Sequence, residues 1–485
     1  MNPFAQAGLG FRALRFGAGE EDVGQRGPVE APGPLAHEVE RAVKRERHVR
    51  GRVAQCPELL GVYPGLVQTF LVNPDPVNRE RPYLERHIAS TRAAYALDNI
   101  EESAFDPALD PEPVLSSALT LAGAPLPMVG AVRIYTCGIT PYDVTHLGHA
   151  ATFVWADLLG CVARHLGVNP VTCRNVTDVD DVLTAAAEQH HRPYDEYALT
   201  QEFLFDRDMK ALNVAKPDHA PHARAHVGHV VQLASALLRA DAAYVRDGYV
   251  FYRGEGLAEV QGLSEDEALQ LSRGFGDLAD DGRDSPHDVP LWRPSPEDHP
   301  AWPSPWGWGK PGWHAECAAM AWATFGSTVD VLVGGEDLTY PHHVYQSAMV
   351  ERATGVGPFA RRQLHVGSVL HDGVKMAKST GNLVLVSDLL EQAPGAAVRL
   401  VLLNRPWWEP WEYVPADLAS ATETLERLYA ASGRPGTDAG RNEVLAVLAN
   451  ELDVPRAVRL AEEAGGAAAR SLLRVLKLDE SPAPR

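Results

Sequence analysis

The chain has 485 residues, 45% of them hydrophobic, and its 64 acidic and 44 basic side chains give a formal charge of -20. That length and apolar share suffice for a large core and two or three domains, and the acidic balance provides no general field for nucleic acid or an anionic membrane. No run of about 18 apolar residues reads as a membrane span, no apolar signal core opens the chain, and five scattered cysteines (Cys56, Cys137, Cys161, Cys173, Cys317) make no disulfide framework.

The expected setting is the cytoplasm, where a special cysteine binds metal or catalyses. Residues 1 to about 60 are rich in Gly, Pro, Glu and Arg without a sustained period and read as poorly structured. The 40 residues "LVQTFLVNPDPVNRERPYLERHIASTRAAYALDNIEESAF" carry a short apolar strand, an Asn-Pro-Asp-Pro turn and a predicted helix over 83–97. They resemble a soluble segment of an uncharacterised family of large bacterial membrane proteins, and nothing in them carries chemistry. Repeated prolines over 107–127 read as a linker, so residues 1–124 are expected to form an N-terminal extension.

At "AVRIYTCGIT" the pattern changes. Val132, Ile134 and Tyr135 suit a strand ending at Cys137-Gly138. A helix follows from near His149, with Val154, Leu158, Val162 and Leu166 at helical spacing and Gly167 placed to close it. "PVTCRNVTD" reads as the next strand, and strand, helix and strand at this spacing predict a βαβ unit in a parallel sheet. "VDVLVGG" (329–335) and "AVRLVLLN" (397–404) are further apolar runs, the second equally readable as a helix; beyond Tyr413 the periodicity is helical.

"HLGH", His146 to His149, falls between a strand end and a helix start, where free N–H groups and a partial positive charge favour phosphate. Two imidazoles one turn apart can donate to the same phosphoryl oxygens, and Gly148 lets a nucleotide approach the backbone. In "KMAKS", Lys375 and Lys378 stand three apart in a glycine-flanked loop and can both face a polyphosphate. Taken singly, each motif also reads as a polar helix start or a solvated basic loop. Cys161 on the helix and Cys173 in mid-strand read as small buried hydrophobes. Cys137, Cys317 and His342 instead occupy predicted strand ends or loops, and three N/S ligands with an open fourth position describe a reactive zinc site. A thiolate would fill that position where a hydroxyl competes poorly. The five tryptophans from Trp292 to Trp313 read as anchors of a proline-rich loop rather than a stacking platform.

In that order, "CGIT…HLGHA", "NVTDVDD", "PGWHAEC", "GGEDLTYPHH" and "DGVKMAKSTGN" resemble the cysteine-activating branch of the class I aminoacyl-tRNA synthetases, over about residues 131–430. The resemblance implies an α/β fold: a Rossmann-like catalytic domain with a parallel sheet over 125–405, an insertion at about 190–290 within it, and a C-terminal helical bundle over 406–485. It implies ATP-dependent, AMP-forming activation of L-cysteine to cysteinyl-adenylate, with Mg²⁺ accompanying ATP and one zinc ion per chain. Cys137, Cys317 and His342 would hold the zinc, and His146, His149, Lys375 and Lys378 would stabilise the phosphates. Gly138, Ile139, Thr140, Thr152, Asn175, Val176, Thr177, Trp313, Gly335, Glu336, Asp337, Val369 and Ser379 would line the ATP and adenylate site, with Trp313 and Asp337 bordering the cysteine.

The branch has two kinds of member, cysteinyl-tRNA synthetases and mycothiol cysteine ligases; the latter use the small amino-sugar glucosaminyl-inositol. "CGITPYDVTHLGHAAT" resembles the ligase block. Gln346 stands where the tRNA enzyme has a glutamate as fourth zinc ligand. The short, slightly acidic helical end leaves no room for an anticodon-reading domain and offers no basic, aromatic-laced surface in its place. An amino-sugar is therefore the expected acceptor and tRNA the alternative, with no membrane partner. Departures from the pattern are Ala377 for a serine, Glu336 for the ligase's serine, and Phe275 among the glycines of "SRGFGDL", where Arg273 and Asp277 match only loosely. Oligomeric state is not legible.

Overall fold

The computed structural model describes residues 119–128, 130–142, 144–275, 282–295, 299–376 and 380–479. The strand and helix expected within 66–97, Cys56, and Asp277, Ala377, Lys378 and Ser379 lie outside the described residues. Part of the stretch read as a linker is a hairpin, β1 (Thr120–Leu121) and β2 (Ala124–Pro125). Its leucines explain the difference: Leu119, Leu121 and Leu126 are buried in the main core, and Gly123 N donates to Glu451 Oε1 at 2.9 Å.

The expected βαβ unit follows as β3 (Ala131–Ile139), α1 (Leu147–His165) and β4 (Asn169–Val176). Next come α2 (Asp181–Gln189), α3 (Tyr194–Ala211) and α4 (Ala223–Arg239). An antiparallel sheet is made by β5 (Ala243–Arg246), β6 (Tyr249–Tyr252), β7 (Val289–Pro294) and β8 (Gly309–Pro311). Between β6 and β7 lie α5 (Leu257–Val260) and α6 (Glu265–Gly274). Helix α7 (Trp313–Phe325) leads to β9 (Val329–Gly335), then through the turns Glu336–Leu338 and Thr339–His343 to α8 (Val344–Thr354) and β10 (Ala360–Val366). A second small sheet joins β11 (Val369–His371), β12 (Val374–Lys375) and, after α9 (Val386–Leu390) and α10 (Gly395–Leu403), β13 (Trp411–Glu412). The C-terminal region is helical: α11 (Pro415–Ser432), α12 (Asp438–Ala449), α13 (Val454–Ala464) and α14 (Gly466–Val475).

The central sheet has the order β10–β9–β3–β4 and is parallel throughout. Side chains alternate between its faces. Val132 and Ile134 join α1 and the C-terminal helices in one core, whereas Tyr135 and Cys137 join α4, α7 and α8 in the other. A register shift after Thr136 returns Ile139 to the α1 side. Helix α1 is buried almost all round because the sheet covers one side and α10 and α14 the other. The run 397–404 is the equally continuous α10 for the same reason: Ala397 to Leu403 are all buried. Among the described residues no helix is long and apolar enough to cross a membrane.

Candidate active site

The carboxyl ends of β3, β4, β9 and β10 converge on one cleft of about 740 Å³, walled by Cys137 to Thr140, Asn175, Thr177, Gly335 and Val366 to Ser368. Open parallel sheets bind ligands at this edge. Val176, between two wall residues, has its side chain on the opposite face and lies in the core. Glu336 is not among the wall residues, while its neighbours Gly335 and Asp337 are.

At one end lie the sulfurs. A Cβ on Gly138 would sit 1.7 Å from the Asn175 carbonyl oxygen, so only glycine fits. Its N–H donates to Asn175 Oδ1 at 2.8 Å, and Asn175 Nδ2 donates to Cys317 Sγ at 3.2 Å, so one amide ties the β3 end to α7. The ligand atoms of Cys137, Cys317 and His342, all buried, lie within 4.8 Å of one another. A tetrahedral zinc ion with bonds of about 2.0–2.3 Å needs ligand atoms about 3.3–3.8 Å apart, so the triad fits such an ion after a small adjustment. Burial pushes Cys137 well up. It also works to raise Cys317, but a hydrogen bond from Cys137 and the nearby His342 outweigh it and hold Cys317 well below the ordinary thiol range. Gln346, fully buried, sets Oε1 3.4 Å from Cys137 Sγ and donates Nε2 to the Cys317 carbonyl at 3.4 Å.

Two aromatic neighbours complete this end. His314 Nδ1 meets His342 Nδ1 at 2.7 Å. The Trp313 ring lies 4.7 Å from His342 and is stacked 5.4 Å from Phe275, the residue that interrupts the glycines. Of the five tryptophans only Trp313 lines the cleft. Trp292 packs 6.2 Å from Trp306, and Trp302 pairs with Gly309 through the backbone, which anchors the proline-rich loop. Arg273 is exposed and away from the cleft wall.

At the other end His146 caps α1, its Nδ1 accepting from Gly148 N at 3.1 Å. Burial, then the charges of His149 and Lys375, lower its pKa to about 3. A neutral imidazole that accepts at Nδ1 carries its proton on Nε2 and is a fixed donor. His149 stacks on it at 4.2 Å, and Thr152 lies one turn further along the same wall. Leu147 N donates to Val384 O (2.9 Å) and Val386 N to Thr145 O (3.0 Å), so the backbone joins the HLGH turn to the chain just after the KMAKS loop. Lys375 pairs with Asp337 at 2.8 Å. Val369 and Met376 line the cleft beside them, and Thr140 and Thr177 share a hydroxyl hydrogen bond of 2.7 Å between the two ends.

A third wall escaped the sequence reading. Asp180, Asp181, Tyr249, Arg283, Arg293 and Glu316 line the cleft from α2 and its cap, the antiparallel sheet, the loop before β7, and α7. Asp181 pairs with Lys310 and, at 2.7 Å, with Arg293. Glu316 is 2% exposed, and its Oε2 has no hydrogen-bond partner among the described residues. Two sequence signals pointed here: Asp180 and Asp181 end the "NVTDVDD" block, and Trp313, Glu316 and Cys317 recur at i, i+3 and i+4, one face of a helix.

Comparisons with known proteins agree with this architecture. Residues 127–423 match the family described as the tRNA synthetases class I (C) catalytic domain, and 52–126 match an uncharacterised protein family (UPF0182). The chain is 40% identical over 363 residues, 72% of its own length and 89% of the relative's, to an L-cysteine:1D-myo-inositol 2-amino-2-deoxy-alpha-D-glucopyranoside ligase of Acidothermus cellulolyticus. A Thermomonospora curvata protein of the same name is 41% identical over 68% of this chain and 83% of its own. A cysteine–tRNA ligase of Paramagnetospirillum magneticum is 37% identical over 70% and 75%. By its parallel sheet, its strand-end cleft and a match spanning more than half its length, the chain belongs to the class I tRNA synthetase (C) catalytic-domain family.

Proposed function

We propose that the protein activates L-cysteine with ATP as cysteinyl-adenylate and transfers the cysteinyl group to the amine of glucosaminyl-inositol. The observation that carries the reading is a single cleft with Cys137, Cys317 and His342 at one end and His146, His149 and Lys375 at the other. In this reading residues 125–405 are the catalytic unit, with the insertion at about 190–290, and 406–485 support it.

The triad would hold zinc, which when bound takes a substrate thiolate as its remaining ligand and so selects cysteine over serine. Trp313 covers the cysteine, and Asp337, shared with Lys375, receives its ammonium. The carboxylate then attacks the α-phosphorus in line. The His146 Nε2–H, His149 and Lys375, with Lys378 and Ser379 of the same loop, stabilise the charge that develops on the phosphoryl oxygens. Gly138, Ile139, Thr140, Thr152, Asn175, Thr177, Gly335 and Val369 enclose the adenylate. Pyrophosphate leaves with the bridging oxygen as its bond to the α-phosphorus breaks, and Mg²⁺ bound with ATP would balance its charge. The acceptor amine attacks the cysteinyl carbonyl, and AMP leaves with the electron pair of the broken C–O bond.

Support for the amino-sugar acceptor comes from the "CGITPYDVTHLGHAAT" block and from Gln346, a neutral amide at the position of the tRNA enzyme's glutamate. The similarity to cysteine–tRNA ligases favours a second reading, transfer to a ribose hydroxyl of tRNA. Cysteine-dependent ATP–pyrophosphate exchange tests activation. Offering glucosaminyl-inositol and deacylated tRNA in parallel to the activated enzyme tests the acceptor, and product on tRNA alone ends the first reading.

A further inference from the structure

We propose that Glu316 and Asp180 form the amine-receiving subsite for the acceptor, with Arg293 and Tyr249 beside them for hydroxyl groups, so that this wall takes a polyhydroxylated amine. The inference rests on the adenylate-forming reading above and adds to it a place for the second substrate.

Location comes first. The carboxyl carbon of cysteine is three covalent bonds from its sulfur, so the adenylate carbonyl must lie close to the Cys137–Cys317–His342 triad. The His146 and Lys375 side is taken by the departing AMP. Of the polar residues left to line the cleft, Asp180, Arg293 and Glu316 form one wall. Glu316 directly precedes Cys317 and shares its helix face with Trp313.

Chemistry comes second. Asp181 is already committed to Arg293 and Lys310. Asp180 uses Oδ1 to cap α2 through Val182 N at 3.0 Å. Glu316, 2% exposed, leaves Oε2 without a partner among the described residues, and so does Arg293 Nε. A buried polar atom left in that state is costly, and a ligand that satisfies it gains accordingly. A carboxyl oxygen accepts hydrogen bonds whether or not the group is ionised. It therefore takes the N–H side of an amine and leaves the nitrogen lone pair free to face the carbonyl. The amine, having shed one proton to solvent, forms the C–N bond as the C–O bond to AMP breaks, and its second proton follows to solvent.

The wall is rigid relative to α7. Gly312 N donates to Leu291 O at 3.0 Å, and a Cβ on Gly312 would come within 1.8 Å of the Pro290 carbonyl oxygen. Backbone of the antiparallel sheet therefore touches the start of the helix that carries Glu316, and Arg293 and Glu316 keep their spacing.

The same chemistry could serve the ammonium of cysteine itself, and the test separates the two sources. Cysteinyl-adenylate is formed on the full-length protein with ATP, cysteine and pyrophosphatase, then challenged with glucosaminyl-inositol or with hydroxylamine, a small amine that needs no subsite. For E316Q the KM for glucosaminyl-inositol should rise about tenfold or more, as for loss of a charged hydrogen bond, while hydroxylamine capture and the cysteine KM in pyrophosphate exchange shift less than about threefold. D180N should move the same way, and because asparagine keeps the cap it carries the test should E316Q not fold. An unchanged acceptor KM in both variants overturns the subsite. A raised cysteine KM with lost hydroxylamine capture reassigns the pair to the cysteine ammonium and overturns it too. If the parent protein yields adenylate to hydroxylamine but no product with glucosaminyl-inositol, the acceptor reading itself fails, and the subsite with it.

Discussion

Replacing His146 by asparagine separates two jobs that one imidazole performs. Asparagine is a favoured N-cap, so its Oδ1 can accept the Gly148 N–H that His146 Nδ1 accepts at 3.1 Å. It cannot put a donor where the Nε2–H points. Losing one preorganised donor to developing charge costs about 10²–10³ in rate, about 2.7–4 kcal/mol, so cysteine-dependent pyrophosphate exchange should fall by that factor. The exchanged cap should leave stability near neutral pH within about 1 kcal/mol. Titration gives an independent check. His146 is lowered from 6.5 to about 3, first by burial and then by His149 and Lys375. The folded protein leaves it neutral while the unfolded chain takes up a proton below pH 6.5. Its share of stability is therefore complete above that value and is lost as pH falls toward 3, by up to about 1.4 kcal/mol per pH unit. His146→Asn lacks this loss, so urea unfolding at about pH 6 and about pH 5 should show a decline smaller than the parent's by about 1 kcal/mol. Exchange within about threefold of the parent would remove His146 from the phosphate chemistry, and equal pH slopes would refute its neutral state.

Gly138→Ala places a methyl 1.7 Å from the Asn175 carbonyl oxygen, forces β3 from β4 and should cost about 1–3 kcal/mol in urea unfolding, with cysteine-dependent exchange lost alongside. Cys317→Ala should abolish zinc measured by elemental analysis, and a chelator that lowers the melting temperature of the parent should leave the variant unmoved. Asp157 receives Arg399 Nη2 at 2.6 Å, Lys477 Nζ at 2.7 Å and Ala215 N at 3.0 Å; Arg399 is fully buried. Asp157→Asn leaves buried Arg399 without its counter-charge and should destabilise by about 3–5 kcal/mol, read by urea unfolding. Burial works to raise the Asp157 carboxyl, but Arg399 and Lys477 prevail and hold it below the usual range. Its contribution is therefore present above the ordinary carboxylate pKa and lost as pH falls below it, and the variant should lose that acid dependence.

What could be read from the chain alone was whatever is written locally. The β-branched and aromatic residues Val132, Ile134 and Tyr135 mark β3, and "HLGH" and "KMAKS" are strings whose chemistry is visible in a few residues. Features set by packing were not legible. Helix α10 has no polar face because α1 and the C-terminal helices enclose it, so its period is invisible. The β1–β2 hairpin hides behind prolines, although Leu119, Leu121 and Leu126 are what bury it. The burial of Glu316 is not written in its local pattern; the backbone of Pro290 meets Gly312 at the start of its helix, two segments with no shared motif. Phe275 reads as a flaw in a glycine loop and is instead the stacking partner of Trp313.

The spacing between the sulfur end and the phosphate end follows from the same physics. Both depend on how β3 and β4 terminate: Gly138 and Asn175 carry the link to Cys317, while Thr140 and Thr177 close the neighbouring step. Ordinary alternation turns Cys137, like Tyr135, towards α7, and the register shift after Thr136 returns Ile139 to the α1 side, from which the chain enters the HLGH turn. A parallel pair held by main-chain bonds is stiffer than a loop, so the distance over which a thiol and a phosphate can be held together is set by the strands. Selection of the sulfur and activation of the carboxylate are then coupled through one strand end, and a substitution that parts β3 from β4 must damage both at once.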